Sequence, residues 1–194
     1  MYGAVDGRDV TGPMELHPDL SHIVLSEDQI QTRVAELGAE ISADYGDESV
    51  LMIAVLRGAA IFVADLSRAV SSSVELDFMA VSSYGSSTKS SGVVRILKDL
   101  DETIEGRNVL VCEDILDTGL TLKYLLKNLA SRKPKTLEVV ALLSKEGKQR
   151  VPIHCRYVGF DVADEFVVGY GLDYAEKYRN LPYVGVLKPA IYAD

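Results

Sequence analysis

The sequence predicts an α/β fold, a twisted and mostly parallel sheet flanked by helices. Three observations point to it. Continuous apolar runs at residues 50–56 and 109–112, with a buried-strand stretch at 137–143, have the pattern of strands covered on both faces. Stretches with apolar residues at helical spacing separate them. Polar and glycine-bearing turns follow the runs, where ligands bind in such sheets.

Residues 1–25 are polar and mixed, with Gly3, Gly7, Gly12, Pro13 and Pro18, and read as an irregular arm. Ser26 and Gln29 make a capping box, behind which Ile30, Val34, Leu37 and Ile41 line one helix face to about Tyr45. After the run 50–56, Arg57-Gly58-Ala59 interrupts, and a second helix turns Phe62, Leu66 and Val70 inward. Residues 74–82 form the next strand, alternating Val74, Leu76 and Phe78. Residues 82–92 are nearly all small and polar and read as an active-site lid or plain surface loop. Residues 93–97 return as a hairpin partner, and further strands fall at 137–143, 157–162 and 183–187. One domain spans residues 1–194.

With 47% hydrophobic and 25% charged residues, the composition is that of an ordinary globular protein. A net charge of −9 argues against general binding to nucleic acid or membrane surfaces. An anionic ligand must therefore be held by local donors. Cys112 and Cys155 have neither metal-ligand nor disulfide spacing, which places the chain in a reducing cytoplasm. Met1 to Leu20 lacks a basic segment followed by an apolar core, so a signal peptide is not expected.

Residues 109–122 carry the densest chemistry. The run Val109-Leu110-Val111-Cys112 ends in Glu113, Asp114 and Asp117, and Thr118-Gly119-Leu120-Thr121 then opens a helix faced by Leu122, Leu125, Leu126 and Leu129. A helix N-terminus presents unpaired amides and partial positive charge to a phosphate. Thr118 and Thr121 add hydroxyls, and Gly119 allows close backbone approach. Glu113 and Asp114 offer oxygen ligands to a hard cation or to sugar hydroxyls. A bare turn capped by Asp117 and Thr118 is the plainer reading, but it needs neither three acids nor two threonines.

Glu113-Asp114-Ile115-Leu116-Asp117-Thr118-Gly119 resembles the phosphoribosyl-pyrophosphate motif of the type I phosphoribosyltransferases, in the form found in hypoxanthine-guanine phosphoribosyltransferases of bacterial type. The resemblance covers roughly residues 26–190. It implies a small hood built from the terminal segments, with residues 164–194 contributing to the base site. It also implies transfer of ribose 5-phosphate from phosphoribosyl pyrophosphate to N9 of hypoxanthine or guanine, with magnesium. The 5-phosphate would lie on residues 117–121, with Asp117 as general acid/base near N7 of the purine. Glu113 and Asp114 would take the ribose and a metal, and Asp173 a second metal with pyrophosphate.

Arg57 and Gly58 match the family's pyrophosphate loop, which often reads Leu-Lys-Gly-Gly and often carries a cis peptide, here Leu56–Arg57. Arg57 and Ala59 depart from that pattern; the charge is kept, but whether the Leu56–Arg57 peptide is cis stays open. By composition alone Arg57 is equally an ordinary surface arginine. Arg179 matches a second pyrophosphate-binding arginine. Lys145 matches the lysine that contacts the 6-oxo group; without the resemblance it reads as a solvated lysine beside Lys148 and Arg150. Phe166-Val167-Val168 alone reads as a core strand, but Phe166 to Tyr174 resembles the purine-binding segment, where Phe166 stacks on the base and the Val167 backbone reads its edge. Ser83 and Tyr84 match the start of the mobile loop. Family members are homodimers or homotetramers. Two other readings stay open: a xanthine-preferring relative, and a non-catalytic regulator that kept the fold. The second should show a basic face and altered catalytic positions, and this chain shows neither.

Overall fold

Residues 15–83, 94–145 and 147–193 are described by the structure, a computed structural model. The sheet is built from the predicted runs: β2 (Val50–Leu56), β3 (Val74–Ser83), β4 (Val94–Lys98), β5 (Asn108–Leu116), β6 (Thr136–Lys145) and β7 (Tyr157–Val162). Their order across the sheet is β4-β3-β2-β5-β6-β7. All neighbours are parallel except β3 and β4, the hairpin expected from residues 93–97. The chain moves outward from β2 to β4, then returns and moves the other way from β5 to β7. The strand order therefore reverses between β2 and β5, and a crevice opens there beyond their carboxyl ends.

Alternation along each strand divides the core into two. Val50, Met52 and Ala54 of β2 and Leu110 and Cys112 of β5 pack under helices α1 (Glu27–Tyr45) and α2 (Ala60–Ala69). Leu51, Ile53, Val55, Val109 and Val111 face the other way, onto helix α3 (Leu120–Ala130). The capping box is present: Ser26 Oγ accepts from Gln29 N, and Gln29 Oε1 accepts from Ser26 N at 2.9 Å. Ile30, Val34, Leu37 and Ile41 are buried, as their spacing predicts. α2 ends at Ala69, and Val70 caps it while staying buried.

Two expectations need correction. The stretch 1–25 is not wholly irregular: Leu20–Leu25 is strand β1, and residues 1–14 lie outside the described residues. β1 pairs antiparallel with β9 (Val184–Leu187), which also pairs with β8 (Val167–Val168), giving a three-stranded sheet of terminal segments. Leu20 and Leu25 are buried while Ser21 and His22 are exposed, so β1 lacks strict alternation and its partner lies at the other end of the sequence. The face of β3 that alternates Val74, Leu76 and Phe78 is also not the better buried one. Leu76 is 45% exposed, whereas Asp77 and Met79 are buried. Asp77 is tolerated because it accepts from Asp101 N at 2.9 Å and lies 3.4 Å from Lys98 Nζ, tying the β3–β4 edge together. A short helix α4 (Pro189–Tyr192), not foreseen from the sequence, ends the described chain.

Replacing Ser26 by Ala leaves the Gln29 amide without its cap. It should cost about 1 kcal/mol, lowering the thermal midpoint by about 2–4 °C. A calorimetric scan of both proteins checks this.

Candidate active site

The crevice receives four loops. From β2 comes Arg57-Gly58, joined to Leu56 through a cis peptide, a point the sequence left open. From β5 comes the acidic strand end. Because side chains alternate, Glu113 continues the Val109–Val111 side and Asp114 the Leu110–Cys112 side. Adjacent carboxylates thus leave the strand in opposite directions.

Glu113 lines a cavity of about 280 Å³ together with Val55, Asp117, Thr118, Gly119 and Thr121. At its rim Asp117 is exposed. Gly119 has φ 76°, a left-handed turn that glycine enters freely, and it caps α3 without any side-chain hydrogen bond. Asp117 and Thr118 are therefore not helix caps, and the amides of the first turn of α3 keep their capacity to bind an anion. Thr118 O accepts from Arg150 N at 3.0 Å, while Val151 and Ile153 pack against Gly119, so residues 150–153 brace the turn from behind.

On the other side, Asp114 lies so close to Gly58 that any Cβ there would overlap its carboxylate. A Cβ at Gly171, whose φ is 100°, would overlap the Gly58 carbonyl. The three positions are stacked, and this joins the hood to the sheet. Beyond Gly171, Arg179 Nη1 donates to Gly171 O at 2.8 Å, and its Nη2 lies 2.8 Å from Asp173 Oδ1. Arg57 Nη1 is 2.7 Å from Glu176 Oε2. Two guanidiniums face one end of the crevice, and Arg179 Nε is buried with no hydrogen-bond partner among the described residues. That orphaned donor suits a polyanion, which would compete with Glu176 for both arginines. Tyr170, Ala175, Glu176 and Tyr178 all take positive φ, so this loop holds its arginine through an unusual backbone path.

The base-side residues come from β6 and β8. Lys145 ends β6, and its side chain is only 13% exposed. It is not the solvated lysine of the plainer reading: its Nζ lies 3.5 Å from Asp164, which also pairs with Lys148 at 2.8 Å. Phe166 is 37% exposed, and Val167 is buried and paired with Val186. Ser83 ends β3 opposite Val94, and Tyr84 lies outside the described residues. Sequence reasoning missed Glu176, Asp164 and Tyr192. All three act as partners, and partnership between distant positions leaves no local pattern.

Desolvation dominates the electrostatics. Burial, reinforced by the neighbouring Asp114, holds the Glu113 carboxyl well above its ordinary range. Burial likewise pushes Asp114 up to about 6, against the opposing pull of the Ile115 amide and of Arg179. No ion pair reaches either acid among the described residues. Each of these acids is costly to ionise, and a hard divalent cation beside either would offset that cost with its own charge. Among the described residues no three His, Cys, Asp or Glu side chains form a cage.

A helix start with free amides, an acidic strand end and a hood carrying Arg179 around one α/β crevice are the arrangement of a phosphoribosyl transferase. The phosphoribosyl transferase domain family matches residues 24–175, and the chain belongs to it. It is 54% identical over 187 residues to the hypoxanthine-guanine phosphoribosyltransferase of Mycobacterium avium, covering 93% of this chain and 92% of that protein. It is also 54% identical over 174 residues to that of Bacillus subtilis strain 168, covering 90% and 97%. A solved hypoxanthine phosphoribosyltransferase from Staphylococcus aureus superposes with TM-score 0.88 at 47% identity, covering 91% of this chain and 96% of that one.

The raised acid of Asp114 has a consequence for stability. Its folded value lies above the unfolded one, so its contribution is fully present below about 4 and is lost as pH rises through about 6. Asp114→Asn should remove a penalty of about 1–3 kcal/mol at pH 8. In metal-free protein the thermal midpoint should rise by about 3–8 °C at pH 8 and hardly at all near pH 4. Melting curves at the two pH values decide it, and equal shifts at both would refute the assignment.

Proposed function

We propose that the chain transfers ribose 5-phosphate from phosphoribosyl pyrophosphate to N9 of hypoxanthine or guanine, with magnesium, giving inosine or guanosine monophosphate and pyrophosphate. The observation that carries this is the placement, around one crevice, of the α3 N-terminus, the buried Glu113, the half-buried Asp114, Arg57 on the β2 loop and Arg179 on the hood. The names of its relatives supply the base.

The turn 117–121 holds the 5-phosphate through the amides of α3 and the hydroxyls of Thr118 and Thr121. Glu113 and Asp114 would hold the ribose hydroxyls and a magnesium ion, and Asp173 a second ion; bound there, magnesium would supply positive charge against the leaving pyrophosphate. Arg57 and Arg179 orient and neutralise the same leaving group, beside the Gly58 backbone. As the bond from C1 of the ribose to pyrophosphate breaks, positive charge grows on the sugar, and N9 of the base attacks that carbon. Asp117 handles the purine proton at N7. Lys145, a donor-only ammonium, leaves Asp164 to meet the 6-oxo group, and a 6-amino base would oppose it with further donors. Phe166 stacks on the base, and the Val167 backbone reads its edge. The loop that begins at Ser83 and Tyr84 closes over the site and excludes water. The protein works in the cytoplasm as a homodimer or homotetramer, a state that exposed Leu76 and Leu97 favour. No helix among the described residues is long and apolar enough to cross a membrane.

The first test offers hypoxanthine, guanine, xanthine, adenine and uracil in turn with phosphoribosyl pyrophosphate and magnesium. Turnover of the first two with adenine and uracil silent is expected. Preference for xanthine would redirect the substrate assignment, and silence on all five would refute the enzymatic one. Asp117→Asn should lower kcat by about 10²–10⁴-fold with little change in the KM for phosphoribosyl pyrophosphate. Lys145→Ala should raise the KM for the base by about 10–100-fold. Equal losses toward both substrates would place Lys145 elsewhere.

A further inference from the structure

Phe166 is not alone on the hood. Tyr192 stacks on its ring, with centroids 4.8 Å apart and planes 22° from parallel. Tyr174 meets the same ring edge-on at 5.7 Å and 87°, and lies 6.4 Å from Tyr192. The placement of Tyr192 follows from the backbone. Phe166 O accepts from Leu187 N at 2.8 Å across the β8–β9 pair, so the chain leaving β9 starts beside Phe166. Lys188 is pinned to the entry of β1, its N on Asp19 O at 2.9 Å and its Nζ on Pro18 O at 2.6 Å. Pro189 then opens α4, and Ala193 N closes its turn on Pro189 O at 2.8 Å. One turn of helix carries Tyr192 back over Phe166. Tyr192 covers one face of Phe166 and Tyr174 meets its rim, and the residue still keeps 37% of its surface exposed.

We propose that Tyr192 is a positioning residue for the purine: it backs Phe166, and the base adds the third layer of a tyrosine–phenylalanine–purine stack. This rests on the reading of Phe166 as the ring that stacks on the base. A phenyl ring at an exposed strand end loses rotamer freedom when a ligand settles on it, and a neighbour that has already fixed the ring removes that loss from binding. The ring of Tyr192 makes the contact, so phenylalanine should replace it. Stacking reads no hydrogen-bond pattern, so hypoxanthine and guanine should be affected alike.

Steady-state kinetics of the full chain with magnesium test this in Tyr192→Ala, Tyr192→Phe, Phe166→Ala and the Tyr192→Ala/Phe166→Ala double variant. Tyr192→Ala should raise the KM of both bases by about 3–10-fold, with kcat and the KM of phosphoribosyl pyrophosphate nearly unchanged. Tyr192→Phe should restore the parent value. Once Phe166→Ala has raised the base KM, adding Tyr192→Ala should raise it little further, because the tyrosine acts through that ring. A lower base KM in Tyr192→Ala would overturn the proposal, since Tyr192 would then occupy the face the base needs. An unchanged KM, or an equal rise with and without Phe166, would overturn it too. If Phe166→Ala alone leaves the base KM unchanged, the reading of Phe166 fails first, and the stack with it.

Discussion

The whole site depends on the contact between Gly58 and the Asp114 carboxylate, two backbone positions on strands that diverge in chain order. Gly58 does not tolerate a side chain lightly. A side chain at 58 would strike the carboxylate, and the hood reaches the sheet through Gly171 seated on the Gly58 carbonyl. Asp114, Gly58 and Gly171 therefore form one column from β5 through the β2 loop to the hood. Arg179 hangs from the far end of that column, through its bond to Gly171 O. Moving any member would shift an acid relative to an arginine, and the crevice works only if both address one ligand.

The same column explains why the free protein stores unfavourable electrostatics. Packing against Gly58 takes Asp114 out of water, and strand alternation sends Glu113 into the cavity on the opposite face. Both acids are held above their ordinary ranges chiefly by desolvation. The arginines meanwhile are occupied by carboxylates of the hood loop, Glu176 and Asp173. A ligand bringing cation and polyanion together offers each group a better partner than it has alone. Affinity and internal strain thus have one origin, a site organised for charges that arrive with the substrate.

The hood shows how a binding surface is assembled from remote pieces. β1 comes from one end of the chain, β8 and β9 from the other, and their buried residues Leu20, Val168, Tyr183 and Leu187 form a small core of their own. That core fixes the direction in which the chain leaves β9. The position of α4, and of Tyr192 over Phe166, follows from it.

Local pattern determined the sheet and three of its helices. Continuous apolar runs mark strands covered on two faces, and the 3.6-residue spacing behind Ser26 and behind Thr121 marks helices, because each element must bury its own surface. The chemistry of residues 113–121 was legible for the same reason: acids, threonines and glycine lie within one strand-to-helix turn. Long-range pairing was not legible. β1 is a strand because β9 is there to receive it, and Asp77 rather than Leu76 is buried on β3 because Lys98 and the Asp101 amide satisfy that acid. Glu176, Asp164 and Tyr192 gained their places through partners far away in sequence. Residue type and spacing record what an element must bury and what it has to offer; which distant group meets that offer is decided only when the sheets close around the crevice.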